Sequence, residues 1–312
     1  MNLKELAKKP SAITEGHRLC AGCAEPIIVR QILMASDKPV VVGNATGCLE
    51  VSTTVYPYSA WAVPWIHSAF ENAAATITGV ESAYKALVRK GVIKDEIRFI
   101  AFGGDGGTYD IGFQSLSGAI ERGHRFVYVC LNNEAYMNTG IQRSGATWKG
   151  ASTTTCPAGT CIPGKKEFPK DLTKIIIAHE LPYAAQASPH NWKDLMEKAA
   201  KAFEANGPAF INVVAPCPRG WRFDSSQTIQ IARLAVETCI WPLYEYENGI
   251  WRLTGDSKRI AEGKKEKRPI TDWLKSQGRF RHLLTEKWKH VADEIQAEVD
   301  RKWEQLKKYC EE

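Results

Sequence analysis

Gly103-Gly104-Asp105-Gly106-Gly107 follows the apolar run Ile97-Arg98-Phe99-Ile100-Ala101-Phe102, and Leu131-Asn132-Asn133-Glu134 closes a second apolar run that starts at Phe126. Each run reads as a buried strand of a parallel sheet. Between them Ile111 to Glu121 carries a helical pattern, with Arg122-Gly123 as its stop. Strand, helix, strand makes a right-handed crossover, which brings the loops after both strands to one edge of the sheet. Ligand sites of open α/β sheets lie at that edge, so Asp105 and Asn133 are expected to converge there on one metal ion.

A carboxylate, an amide oxygen and a nearby backbone carbonyl are what Mg²⁺ takes from a protein when phosphate oxygens fill its other positions. Glycines on both sides of Asp105 let a phosphate approach the backbone closely. Gly-Asp-Gly, a spacer and then Asn-Asn resembles the diphosphate-binding signature of thiamine diphosphate (ThDP) enzymes. Gly-Asp-Gly alone is equally an ordinary turn, so the flanking strands, the spacer and the Asn pair carry the reading.

At 312 residues with 44% hydrophobic content, the chain can bury a full α/β core. Met1 to Lys9 holds charge without an apolar run, and no stretch is apolar for long enough to cross a bilayer. The expectation is a cytoplasmic protein with no membrane association. The net charge of +6 is a mild basic excess, much of it in Lys258, Arg259, Lys264, Lys265, Lys267 and Arg268, where a flexible linker explains it. No basic-aromatic module points to nucleic acid.

Other loops fall at the same edge. Cys20-Ala21-Gly22-Cys23-Ala24-Glu25-Pro26 is a tight loop running into a helix from Ile27 to Ala35, with proline in the first turn. A short strand, Pro39 to Val42, leads to Gly43-Asn44-Ala45-Thr46-Gly47-Cys48. Thr53 to Ile66 is rich in aromatics and proline and reads as a lid or partner surface, with plain core as the alternative. Ser68 to Lys90 reads as a helix, and Tyr136 to Lys166 as a long functional loop. Helix, strand, helix and strand follow at 172–179, 183–187, 192–205 and 209–214, the last ending in Ala215-Pro216-Cys217. From about Leu253 a charged linker leads to a helix whose stripe is Trp288, Val291, Ile295, Val299, Trp303 and Leu306; it can dock on this chain's core or on a partner.

Nine cysteines without a leader segment suggest a reducing compartment, where thiols serve metals or chemistry. Cys20 and Cys23 have the spacing for two thiolates on one metal centre, and Cys48 and Cys217, both just past strands, complete a set of four. Zinc and a redox disulfide stay open, although the absence of a second Cys-x-x-Cys favours an iron–sulfur cluster over a zinc ribbon. Cys130 reads as core. Cys156 and Cys161, in the long loop, leave a second metal site or a disulfide open; Cys239 and Cys310 carry no signal.

Together these features resemble the β subunit of the 2-oxoacid:ferredoxin oxidoreductases, the pyruvate:ferredoxin oxidoreductase family, which includes oxalate oxidoreductase. The matching stretches are Gly16 to Cys23, Ala45 to Thr53, Phe102 to Gly112, Glu134 to Gly140 and Gln277-Gly278-Arg279-Phe280-Arg281. The resemblance implies an α/β ThDP-binding fold of the diphosphate side, a mostly parallel sheet with helices on both faces, over residues 1–252. Residues 253–312 would be the linker and an amphipathic helical extension. It implies a [4Fe–4S] cluster on Cys20, Cys23, Cys48 and Cys217, and Mg²⁺ on Asp105, Asn133 and the Ala135 carbonyl. Gly104, Gly106 and Thr108 would cradle the diphosphate, while Thr46 and Gly47 would line the gap between cofactor and cluster. Asn138, with Thr139 beside it, would serve as the active-site amide, and Glu25 would face the cofactor; their ordinary readings are a turn former and a helix-start carboxylate.

The implied reaction is oxidative decarboxylation of a small oxoacid, pyruvate or oxalate, with electrons passed through the cluster toward ferredoxin and product leaving to coenzyme A or as CO₂. The implied partners are a pyrimidine-side α subunit and a ferredoxin-like cluster subunit. Ala24-Glu25, Trp148, Cys156 and Cys161 depart from the usual pyruvate pattern, a hint toward another oxoacid. Two other classes remain: a ThDP decarboxylase or carboligase without redox, which leaves the cysteines idle, and a zinc-stabilised assembly subunit, which leaves the magnesium motif idle.

Overall fold

The computed structural model describes residues 3–311. Its centre is an eight-stranded sheet in the order β2-β1-β3-β4-β6-β5-β7-β8. The strands are β1 (Val40–Ala45), β2 (Trp65–Ser68), β3 (Arg98–Gly104), β4 (Val127–Asn132), β5 (Tyr183–Ala187), β6 (Ala209–Val214), β7 (Tyr244–Glu247) and β8 (Ile250–Leu253). β1 to β6 pair in parallel. β7 and β8 form a hairpin that adds antiparallel to β5.

Parallel strands joined by crossovers must be covered on both faces, and alternate residues of β3 and β4 supply the two cores. Phe99, Ala101, Tyr128 and Cys130 pack under the helices Ala73–Arg89, Phe113–Glu121, Leu172–Ile177 and Thr228–Glu237. Ile100, Phe102, Val129 and Leu131 face the opposite layer, with Ile28 and Ile32 of helix Glu25–Met34 and Leu195 and Phe203 of helix Trp192–Glu204. The crossover between β3 and β4 begins sooner than its apolar pattern indicates: a wide helical turn, Gly106–Ile111, starts directly after Asp105. Likewise Cys48 opens a short helix, Cys48–Thr53, where the sequence reads as a loop.

The charged stretch after Leu253 is not a flexible linker. It holds helices Gly255–Ala261 and Ile270–Lys275, and its cations are engaged: Lys265 with Asp256 at 2.7 Å and Glu237 at 2.8 Å, Arg268 with Asp272 at 2.7 Å, Lys267 with Asp300. The final helix, Lys289–Glu311, buries Val291, Ile295, Val299, Trp303 and Leu306. They join the first core layer, so the stripe docks on this chain itself. The aromatic segment before β2 divides in two. Trp61 is buried, 6.1 Å from Trp65 and 6.4 Å from Phe102 between ring centroids, while Tyr56 and Tyr58 are 94% and 74% exposed.

Candidate functional site

β1, β3, β4 and β6 are consecutive neighbours, so the segments after their carboxyl ends lie side by side: Thr46-Gly47-Cys48, Asp105-Gly106, Asn133-Glu134-Ala135 and Ala215-Pro216-Cys217. One cavity opens there. Glu25, Thr46, Gly47, Cys48, Gly104, Gly106, Asn133, Ala135, Asn138 and Thr139 all line it, as do Phe70, Tyr136 and Met137, which the sequence did not single out. Tyr136 is fixed by its hydroxyl, which donates to the Gly106 carbonyl at 2.9 Å. A Cβ on Gly106 would stand 2.4 Å from the Tyr136 ring, so the ring's position requires glycine there.

Asp105, between the lining residues Gly104 and Gly106, is fully buried and does not itself line the cavity. Its carboxylate accepts the Asn133 backbone N–H at 3.2 Å and the Ser144 hydroxyl, an interaction across 39 residues that no local pattern announces. Burial pushes the Asp105 carboxyl up to about 8, the Ser144 hydrogen bond opposing it. The Asn133 side-chain amide donates to Glu25 Oε1 at 3.1 Å. Its Oδ1 and Glu25 Oε2 are buried without a hydrogen-bond partner. Burial raises the Glu25 carboxyl to about 7. A buried orphan oxygen beside a carboxylate that burial alone would leave partly protonated is the donor set a hard divalent cation satisfies.

Thr108 is placed differently from its neighbours. It is fully buried and its hydroxyl donates to the Gly104 carbonyl at 2.7 Å, so its side chain braces the turn and does not line the cavity. His67 meets the site through Thr46, its Nε2 lying 2.8 Å from the Thr46 hydroxyl. Trp148 packs elsewhere, against Phe168 at 6.4 Å and under Lys302, and is absent from the cavity lining.

Cys20, Cys23, Cys48 and Cys217 gather at the same end of the molecule. Cys48 and Cys217 act electrostatically on Cys23, and Cys20 acts on both Cys48 and Cys217. Burial, then the Glu25 charge, raises the thiols of Cys23 and Cys48; burial raises that of Cys217, whose sulfur accepts the Gly220 N–H at 3.3 Å. Among the described residues no three His, Cys, Asp or Glu side chains close on a single metal ion. The Cys20–Cys23 turn depends on Gly22 at φ +73°, where a Cβ would lie 2.2 Å from the Ser225 carbonyl oxygen. Cys156 and Cys161 are free thiols, as are all nine.

Carboxyl-end loops of a doubly wrapped parallel sheet, a glycine-flanked aspartate and an orphan asparagine oxygen are features of the ThDP-enzyme class. The family model for the thiamine pyrophosphate enzyme C-terminal TPP-binding domain matches residues 42–213. The chain is 52% identical to pyruvate synthase subunit PorB of Thermotoga maritima, covering 98% of this chain and 95% of that one. It is 51% identical to PorB of Methanocaldococcus jannaschii, covering 92% and 93%, and 43% identical to ketoisovalerate oxidoreductase subunit VorB of Pyrococcus furiosus, covering 95% and 92%. The chain belongs to the β subunits of the 2-oxoacid:ferredoxin oxidoreductases. A solved structure, the 2-oxoglutarate:ferredoxin oxidoreductase from Magnetococcus marinus, shares the fold at TM-score 0.56 and 19% identity, over 75% of this chain and 80% of that one.

Proposed function

We propose that this chain is the diphosphate-side subunit of a ThDP-dependent pyruvate oxidoreductase that passes electrons through a [4Fe–4S] cluster toward ferredoxin. The observation that carries the reading is the cavity itself, which Asn133, with its orphan Oδ1, and Cys48 both line, together with Gly104 and Gly106 on either side of buried Asp105. When bound, ThDP supplies the carbon nucleophile and electron sink that oxidative decarboxylation of a 2-oxoacid requires. Asp105, Asn133 Oδ1 and the Ala135 carbonyl would hold Mg²⁺, and the open space at Gly104 leaves backbone room for the diphosphate, whereas that at Gly106 is taken by the Tyr136 ring. Glu25 accepts from the Asn133 amide and so keeps Oδ1 turned away as the free donor. Asn138, exposed at the cavity mouth, would hydrogen-bond the reacting substrate, with Thr139 beside it.

Cys20, Cys23, Cys48 and Cys217 would each bind one iron. At Cys23, Cys48 and Cys217 burial disfavours an uncompensated thiolate, which supports a metal centre among them. The names of the relatives, subunits of pyruvate synthase, favour pyruvate and a multi-subunit complex; coenzyme A as acyl acceptor, and a pyrimidine-side subunit and a cluster-bearing subunit as partners, are what the family resemblance implies. Oxalate loses Trp148 as an argument, because that residue packs away from the cavity. The test is anaerobic assay of the purified complex with pyruvate and coenzyme A, together with iron determination. Pyruvate-dependent ferredoxin reduction and about four irons assigned to this chain are expected; a colourless, iron-free complex that releases aldehyde would replace the reading with a non-redox decarboxylase.

A further inference from the structure

Glu134 stands between two of the proposed magnesium ligands and is a conformational exception. Its φ is +65°, a region that L residues with long side chains rarely adopt, and it is 1% exposed. Such a residue persists only where its surroundings over-determine it. Three contacts do so here. Its N–H donates to Asn132 Oδ1 at 3.1 Å, its carbonyl accepts the Thr147 hydroxyl at 2.6 Å, and its carboxylate pairs with Arg279 at 2.6 Å across 145 residues of sequence.

Arg279 is itself buried, with its guanidinium carbon 3.9 Å from the centre of the Trp221 ring and 4.8 Å from that of Phe280. Its Nε donates to Gln277 Oε1 at 2.8 Å, and Gln277 is anchored in turn by donation to the Trp273 carbonyl at 3.0 Å. The same Trp221 ring donates its indole N–H to the Asn133 carbonyl at 2.7 Å. Trp221 ends the short helix Pro218–Trp221, which begins directly after Cys217. One cation therefore grips the turn twice, through the carboxylate of Glu134 and through the indole that holds Asn133.

We infer that Arg279, working through Glu134 and Trp221, is the positioning residue that sets the Asn133-Glu134-Ala135 turn for Mg²⁺–ThDP. The inference rests on the metal-site reading proposed above. The interior pair is suited to position rather than to stability. Buried ion pairs recover their desolvation cost only when geometry and further hydrogen bonds are good, but breaking one leaves a buried charge uncompensated. The planar guanidinium, stacked on an indole and forked between Glu134 and Gln277, is a geometry that lysine does not reproduce.

The test is Mg²⁺ titration at saturating ThDP of the anaerobically purified, chelator-stripped complex, followed by tryptophan fluorescence, with iron content and thermal midpoint measured alongside. Arg279→Gln should weaken Mg²⁺ binding about 10- to 100-fold, the range for partners behind metal ligands, with iron per chain unchanged. Arg279→Lys should recover only part of that loss. Trp221→Phe, which keeps the ring and removes the donor to Asn133, should weaken binding less than Arg279→Gln does. Wild-type Mg²⁺ affinity in both Arg279→Gln and Trp221→Phe would overturn the inference, as would parallel loss of iron, Mg²⁺ affinity and thermal midpoint in both. Asp105→Asn separates the two levels: if it leaves Mg²⁺ affinity unchanged the metal-site reading fails, whereas if it abolishes binding while Arg279→Gln and Trp221→Phe do not alter it, only the role of Arg279 fails.

Discussion

Asp105 and Cys48 sit at the ends of neighbouring strands, yet they answer to different chemistry. Asp105 is a fully buried carboxyl group bonded to Ser144 and the Asn133 N–H, and Cys48 is a partly buried thiol on the cavity wall. Asp105→Ala is expected to weaken ThDP and Mg²⁺ binding by about 100-fold or more while iron content stays at the wild-type level. Cys48→Ala is expected to lose iron and keep ThDP affinity. Equilibrium binding and iron analysis on each variant check this, and loss of both ligands in either one would argue against two separate sites. Asp105, Asn133 and the cysteines were legible because glycines, an Asn pair and strand ends mark them locally. Ser144, Trp221 and Arg279 were not, since each reaches the site from 39, 88 or 145 residues away and only packing brings it there.

Among the elements, the long apolar strands and their amphipathic crossovers follow directly from periodicity. β2 escapes it, being four residues long at the sheet edge with a half-exposed pattern. β7 and β8 flank Asn248-Gly249, a two-residue type of turn whose sequence is a strong hairpin signal. The wide turn Gly106–Ile111 starts ahead of the helical pattern that begins at Ile111, and its glycines are required by close approach to Tyr136 and Phe70. The turn Cys20–Cys23 offers a matching test. Gly22→Ala forces a Cβ into the Ser225 backbone at a left-handed φ, so it should displace the Cys-x-x-Cys pair at a cost of about 1–3 kcal/mol. Iron bound per chain should fall well below wild type with ThDP affinity retained, and a variant with a full iron complement would show that the turn has more slack than its packing indicates.

At the scale of the molecule, one sheet presents one row of ligands. The described residues form a single eight-stranded sheet whose site opens outward at the carboxyl ends of its strands. The cavity holds groups suited to a diphosphate and a metal. The carboxylate that activates the aminopyrimidine of ThDP belongs, in the family this chain resembles, to a pyrimidine-side domain. Purified alone, the chain is expected to bind iron and yet show no oxoacid-dependent ferredoxin reduction; activity should appear on adding the partner subunits. Turnover by the isolated chain, measured anaerobically with pyruvate and coenzyme A, would refute the division of labour. No helix among the described residues is long and apolar enough to cross a membrane.

The order of strands carries one more consequence. Cys48 follows β1, Asp105 follows β3, Asn133 follows β4 and Cys217 follows β6, four adjacent rungs separated by about 4.8 Å each. Hydrogen bonds between main chains set those intervals, and main chains are common to every residue type. The sheet thus works as a ruler: loops can drift in sequence, while the interval between the segments that carry Cys48, Asp105, Asn133 and Cys217 stays ruled by the backbone.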